Sequence, residues 1–175
     1  LGLELPRFYG TVKTLDQVVD VDYYIPGCPP VPEQIVNALT VVWSGDLPPK
    51  GSVIGAGMRT LCDECSRTRE EKEITEFKRP VEVITDPEKC LLEQGLLCLG
   101  PVTREGCGGR CTSSNVPCRG CYGPLEGVRD QGIRMLGALA SVLEPKEEEA
   151  IDRLVDQIAD PLRTFHRFSV AASIL

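Results

Sequence analysis

Long apolar runs are missing from this sequence. No stretch approaches the roughly 18 consecutive apolar residues of a membrane-spanning helix. The N-terminus lacks the basic, apolar and small-residue order of a secretory signal, so no membrane span and a cytoplasmic location are expected. Aromatic residues make up 5% of the chain, with one Trp, and there is a single histidine. That leaves little material for a Cys/His catalytic pair. Basic residues are outnumbered, 19 Lys and Arg against 26 Asp and Glu, for a net charge of −7. A nucleic-acid reader needs a basic face, so no nucleic-acid partner is expected. Internal repeats and long low-complexity tracts are also missing. The chain starts at Leu1 rather than Met, and further residues of the gene product are expected to precede it. With 42% hydrophobic and 26% charged residues, the composition is that of an ordinary globular protein of one or two small domains.

What the sequence does have is cysteine. There are nine in 175 residues, an odd number and fewer than the ~8–10% of small disulfide scaffolds. In a reducing compartment, closely spaced cysteines point to metal rather than to disulfides. Cys28 stands apart. The other eight fall between Leu61 and Tyr122, as Cys62-x-x-Cys65, Cys90, Cys98, Cys107, Cys111 and Cys118-x-x-Cys121. Eight thiols make two sets of four, the ligand count of two 4Fe-4S clusters, and soft thiolate sulfur suits iron. Gly95, Gly100, Gly106, Gly108, Gly109, Gly120 and Gly123 are interleaved with them, where the lack of a Cβ lets backbone amides approach a cluster. Zinc is the competing reading, because paired C-x-x-C units also build zinc ribbons. Against it, the interval from Cys65 to Cys118 far exceeds the usual ~15–20 residues and contains four more cysteines. The C-x-x-C-x-x-C run of bacterial ferredoxins is not present. His166 lies among Phe165, Arg167 and Phe168 and reads as a packing or surface residue.

The expected fold class is α/β plus irregular structure. The second half of Val19–Ile25 reads as a strand, and Pro26-Gly27-Cys28-Pro29-Pro30 as a sharp loop carrying Cys28. A helix should follow, with Pro32 and Glu33 in its first turn and Ile35, Ala38, Leu39, Val42 and Trp43 along one stripe. A loop at the carboxyl end of a strand is where open α/β sheets place ligands. From Gly45 to about Met58 the Gly and Pro content reads as a linker. Between Leu61 and Tyr122 regular structure should be sparse, with a charged stretch from Arg67 to Arg79 and a short apolar run at Val81 to Ile84. Such a segment depends on inorganic groups for the stability that its small core lacks. Glu70, Glu71 and Glu73 beside Lys72 read as a solvated face. From Gly127 a helical stripe of Val128, Ile133, Met135, Leu136, Leu139 and Val142 runs to a break at Pro145. A second helix is expected from Glu147 to Asp160, its exposed start at Lys146 to Glu149, with Ile151, Leu154, Val155 and Ile158 on one face. A third should begin at Pro161 and carry Leu162, Phe165 and Phe168.

Two stretches carry a resemblance to a family. Residues 25–33, IPGCPPVPE, resemble the G-C-P-P-x-P-E segment of nickel-iron hydrogenase small subunits. The run from Cys98 to Cys107, CLGPVTREGC, followed by Pro117-Cys118-Arg119-Gly120-Cys121, is similar to the cytosolic methyl-viologen-reducing, deazaflavin-independent branch found in methanogens. The resemblance extends over nearly the whole chain. It implies that residues 1–50 are the C-terminal part of a flavodoxin-like domain carrying the proximal cluster, that 51–124 form a loop-rich domain binding two 4Fe-4S clusters, and that 125–175 are C-terminal helices. It assigns Cys28 to the proximal 4Fe-4S cluster and Cys62, Cys65, Cys90 and Cys98 to the distal one. Cys107, Cys118 and Cys121 match three medial ligands, and Cys111 supplies a fourth thiolate, so a 4Fe-4S medial cluster is expected. The standard periplasmic enzymes differ, with a histidine where Cys62 stands and a 3Fe-4S medial cluster. The other three proximal ligands should precede Cys28, and residues 1–27 contain no cysteine, so a flavodoxin-like half is expected ahead of Leu1. The implied role is electron transfer from hydrogen oxidation on a nickel-iron large subunit toward a small iron-sulfur subunit and the heterodisulfide reductase flavoprotein of methanogenesis, with no catalysis by this chain alone. The alternatives are the small subunit of a deazaflavin-reducing hydrogenase or a quinone-oxidoreductase-like complex, and a zinc-stabilised interaction module.

Overall fold

After a 3-10 turn at Leu15–Gln17, two adjacent tyrosines form the first strand. In the computed structural model, which describes residues 4–70, 73–144 and 147–174, strand β1 (Tyr23–Tyr24) lies parallel to β2 (Ser52–Val53), with Tyr23 opposite Ser52 and Tyr24 opposite Val53. Parallel strands need a crossover, which is supplied here by helix α1 (Pro32–Ser44). Pro32 opens α1, where its missing N–H costs nothing, and Gly45 in a left-handed conformation (φ 74°) closes it. The strand expected in the second half of Val19–Ile25 is thus realised as β1. The 45–58 stretch is not merely a linker, since it contains β2.

Of the apolar stripe expected on α1, the helix buries only Ala38. Gln34 and Ala38 face inward, while Ile35, Leu39 and Val42 are exposed and Trp43 is 78% exposed. The contact is a backbone approach: a Cβ at Gly55 would meet Gln34 O at 2.7 Å and Ala38 Cβ at 2.9 Å. Alanine leaves room for that approach, and the buried Gln34 is held by its Nε2 while its Oε1 has no partner among the described residues. Gln34 Nε2 donates to Pro26 O at 2.9 Å, which ties the Cys28 loop to the helix.

Residues 61–122 contain little regular structure, as expected: α2 (Leu61–Glu64), a 3-10 turn at Gly100–Val102, α3 (Arg110–Ser113), and isolated bridges such as Thr60–Arg104 and Thr68–Lys89. The charged stretch is less solvated than its composition suggests, because Arg67, Ile74 and Phe77 are buried within it. Glu70 pairs with Lys89 at 3.1 Å. The apolar run beyond it turns outward, with Val81 85% and Ile84 101% exposed.

Helix α4 (Gln131–Ala140) begins four residues after Gly127, where the Asp130 carboxylate accepts the Ile133 amide at 2.9 Å and caps the first turn. It buries Met135 and Leu139 but leaves Ile133 and Leu136 exposed. Helix α5 (Glu148–Val155) is shorter than the expected Glu147–Asp160, and a turn after it carries Ile158 into the core. In α6 (Pro161–His166), Asp160 accepts the Arg163 amide at 3.1 Å, Phe165 is buried, and Leu162 and the following Phe168 are exposed. Met135, Leu139 and Phe165 pack against Leu61, Leu99 and Val102, and Cys98 and Cys118 belong to the same cluster. The C-terminal helices therefore form the floor beneath the cysteine loops. Leu1, Glu71, Lys72, Pro145 and Lys146, on which further expectations rest, lie outside the described residues. The architecture is mixed α/β, with a two-stranded parallel sheet and six α-helices among the described residues. Among them no helix is long and apolar enough to cross a membrane.

Candidate metal centre

Four of the nine cysteines ring one cavity. Cys62 lies on α2 and Cys65 closes it, Thr60 and Asp63 forming a capping box at the start of that short helix. Cys90 is placed by its amide, which donates to Thr68 O at 2.8 Å. Cys98 precedes the 100–102 turn. Together they line a cavity of about 990 Å³, closed on one side by Ala138, Ser141 and Val142 at the end of α4. Burial pushes the Cys62 thiol up to about 12, and Cys98, Cys90 and Cys65 add to the shift while Arg69 opposes it. Cys98 is raised chiefly by burial, opposed by the Gly100 and Cys118 amides. The Cys118 amide lies 3.3 Å from Cys98 Sγ. A Cβ at Gly100 would come within 3.1 Å of Cys62 Sγ and 3.6 Å of Cys98 Sγ, so glycine keeps the backbone close to both sulfurs.

Four of the remaining five form a second neighbourhood. Cys111 lies on α3, and Cys107 sits in the glycine turn before it. Burial raises Cys107, opposed by the Gly109 and Arg110 amides. Cys121 is raised by burial, then by Cys107 and Cys111. Burial pushes Cys118 up to about 12 against the Gly120 amide, which lies 3.4 Å from its sulfur, with Cys98 and Cys121 adding to the rise. Cys118 thus borders both sets. Cys28 is exposed on the loop between β1 and α1, as expected. Its amide faces the Cys121 sulfur, and the Val31 amide donates to Tyr122 Oη at 3.1 Å, holding the loop against the 121–122 turn. Gly27 (φ 131°) shapes that loop, and a Cβ there would meet Pro30 Cα at 2.4 Å.

The donor chemistry fits a sulfur-ligated metal group. Thiols converge from separate loops, and the amides of Gly100, Gly109 and Gly120 point at sulfurs, which is how a protein stabilises charge on thiolate. Among the described residues no three His, Cys, Asp or Glu groups are close enough to hold a single metal ion. The ring of four around a cavity leaves room for a broader group. Three supporting residues gave no signal in the sequence. Arg67 is a buried cation inside a charged run. Glu64 accepts the Gly106 amide at 2.8 Å and the Gly108 amide at 3.1 Å, bracketing Cys107. Thr112 Oγ1 lies 3.5 Å from Cys65 Sγ. His166 is buried in the floor, its Nδ1 3.6 Å from Asp130 Oδ1, far from catalytic use and consistent with packing.

A family model described as NADH ubiquinone oxidoreductase, 20 Kd subunit, matches residues 5–42. The iron-sulfur subunit of the F420-non-reducing hydrogenase of Archaeoglobus profundus is 40% identical over 178 aligned positions, covering 99% of this chain and 54% of that protein. A subunit of the vhu F420-non-reducing hydrogenase of Methanococcus voltae is 40% identical over 174 positions, covering 98% and 54%. The chain therefore spans about half the length of these relatives. A subunit of the F420-non-reducing hydrogenase of Methanothermus fervidus is 37% identical over 119 positions, covering 65% of this chain and 93% of that one. Because it covers 93% of the Methanothermus fervidus subunit at 37% identity, the chain belongs to the family that these F420-non-reducing hydrogenase subunits form.

Proposed function

We propose that this chain carries electrons within a nickel-iron hydrogenase through iron-sulfur clusters bound by its cysteines. The observation that carries the reading is the ring formed by Cys62, Cys65, Cys90 and Cys98 around one cavity. In this reading they hold a distal 4Fe-4S cluster, Cys107, Cys111, Cys118 and Cys121 hold a medial one, and Cys28 is one ligand of a proximal cluster in a flavodoxin-like domain. When bound, such clusters take up and release single electrons without bond rearrangement in the protein. The chain's own residues hold the sulfurs in place, aim amides at them and exclude water with the Leu61, Leu91 and Val142 side of the cavity. No acid or base is required of it. The partners in this reading are the nickel-iron large subunit, a small iron-sulfur subunit and the heterodisulfide reductase flavoprotein, in the cytoplasm.

The quinone-oxidoreductase reading draws on the family model that matches residues 5–42. That match covers Cys28 but none of the eight cysteines from Cys62 onward, so it supports shared ancestry of the Cys28 unit more than shared function. The spread of the thiols around a cavity favours a cluster over a tetrahedral zinc ion.

The test is the iron, sulfide, zinc and nickel content of the anaerobically purified native complex, with paramagnetic resonance of the reduced sample. About eight irons per chain with matching sulfide are expected, or about twelve with the proximal site complete. About two zinc ions and no sulfide would overturn the proposal.

A further inference from the structure

Arg67 is 7% exposed and lines the cavity ringed by Cys62, Cys65, Cys90 and Cys98. Its Nε donates to Thr112 O at 2.9 Å, its Nη1 to Asp86 O and Lys89 O at 2.8 Å each, and its Nη2 to Asn115 Oδ1. Every one of these acceptors is neutral. The hydrogen bonds satisfy the donors but leave the positive charge uncompensated, and a guanidinium does not relieve the cost by losing its proton. Among the described residues no carboxylate forms an ion pair with it. The other charged groups lining the cavity are Arg69, Glu73 and Glu93. Arg69 and Glu73 are exposed to solvent, and the Glu93 carboxylate accepts the Glu70 amide at 2.9 and 3.1 Å.

A buried cation without a counter-ion, in the wall of a cavity that four thiols also line, has its natural partner in an anionic group held by those thiols. We propose that Arg67 is the fixed counter-charge of that group and a positioning residue that raises its reduction potential. The inference rests on the reading of Cys62, Cys65, Cys90 and Cys98 as cluster ligands. Each electron accepted adds one negative charge near the sulfurs and takes up no proton. A fixed cation in the wall of the site favours the reduced state more than the oxidised one. The same guanidinium ties the 86–89 loop to the 112–115 segment, so charge and scaffolding must be separated by experiment.

The experiment compares R67Q and R67K with the native protein in the complete complex, purified anaerobically, by iron and sulfide content and by a redox titration followed by paramagnetic resonance. R67Q keeps a hydrogen-bonding side chain and loses the charge. R67K keeps the charge and loses the fork. In R67Q the equilibrium for reducing this centre is expected to weaken about tenfold, a fall of about 59 mV for a one-electron couple, while R67K stays at the native potential. R67Q that loses the cluster while R67K loads fully at the native potential also supports the charge role. An unchanged potential in R67Q, equal shifts in both variants, or loss of the cluster in both overturns it and leaves Arg67 as a tie between loops. A native complex without iron and sulfide at these cysteines overturns the parent reading instead.

Discussion

Gly132 lies in α4 directly beneath the imidazole of His166, where a Cβ would approach ring atoms at 2.4 and 2.5 Å. The ring is buried and has nowhere to go, so Gly132→Ala is expected to destabilise the chain by about 1–3 kcal/mol despite the better helix propensity of alanine; the drop in melting temperature measures it. The neighbouring Asp130 carboxylate accepts the Ile133 amide at 2.9 Å and the Ile174 amide at 3.1 Å. Burial works against its charge, but the two amides and His166 outweigh it and hold the carboxyl below the usual value. A depressed folded-state value means that the stabilisation is complete above the unfolded-state range near ~3.9 and is lost as pH falls through the folded-state value. Asp130→Ala should therefore cost about 1–2 kcal/mol at neutral pH, and the difference from native should narrow toward pH 3 in denaturant melts. A penalty that does not change with pH would assign the effect to packing.

Among the elements, helix α1 was legible because proline at its start, a helical period and a following glycine all agree. Its inward face was not, since burial there is set by the approach of Gly55 to Gln34 and Ala38 rather than by apolar spacing. Strand β2 was hidden for a different reason. Two residues, Ser52 and Val53, are too few to show alternation, and their pairing with β1 is a tertiary fact. The cysteines announced metal chemistry, yet spacing alone left their grouping open, because Cys90 and Cys98 reach Cys62 and Cys65 only through loop packing. Glu64 illustrates how such packing acts. From the end of α2 it accepts two amides on either side of Cys107, the part-buried Gly106 bond being charge-assisted and worth about 1.5–3 kcal/mol and the exposed Gly108 bond less. Glu64→Ala is expected to loosen the Cys107 turn and lower iron and sulfide at the second set of cysteines, with the first set retained. Equal loss from both sets would point to general unfolding.

At the scale of the whole molecule, the stretch from 61 to 122 holds two α-helices of four residues each and scattered bridges among its described residues. Leu61, Ile74, Phe77, Leu91, Leu96, Leu99 and Val102 give it a core shared with the C-terminal helices, and in the proposed reading the group bound by the sulfurs adds to that order. Stripping iron from the purified protein with a chelator should raise amide exchange first across 61–122, while α4 and α6, which pack on each other, stay protected longer. Uniform loss of protection would show that the helical floor depends on the metal as much as the loops do. Cys118 gives this layout one more consequence. Its amide meets Cys98 Sγ at 3.3 Å while its own sulfur neighbours Cys121. In the proposed grouping, a single peptide link joins the two redox centres. Were both groups bound, an electron on one would disfavour a second on its neighbour, and Cys118 would be the residue through which the two sense each other.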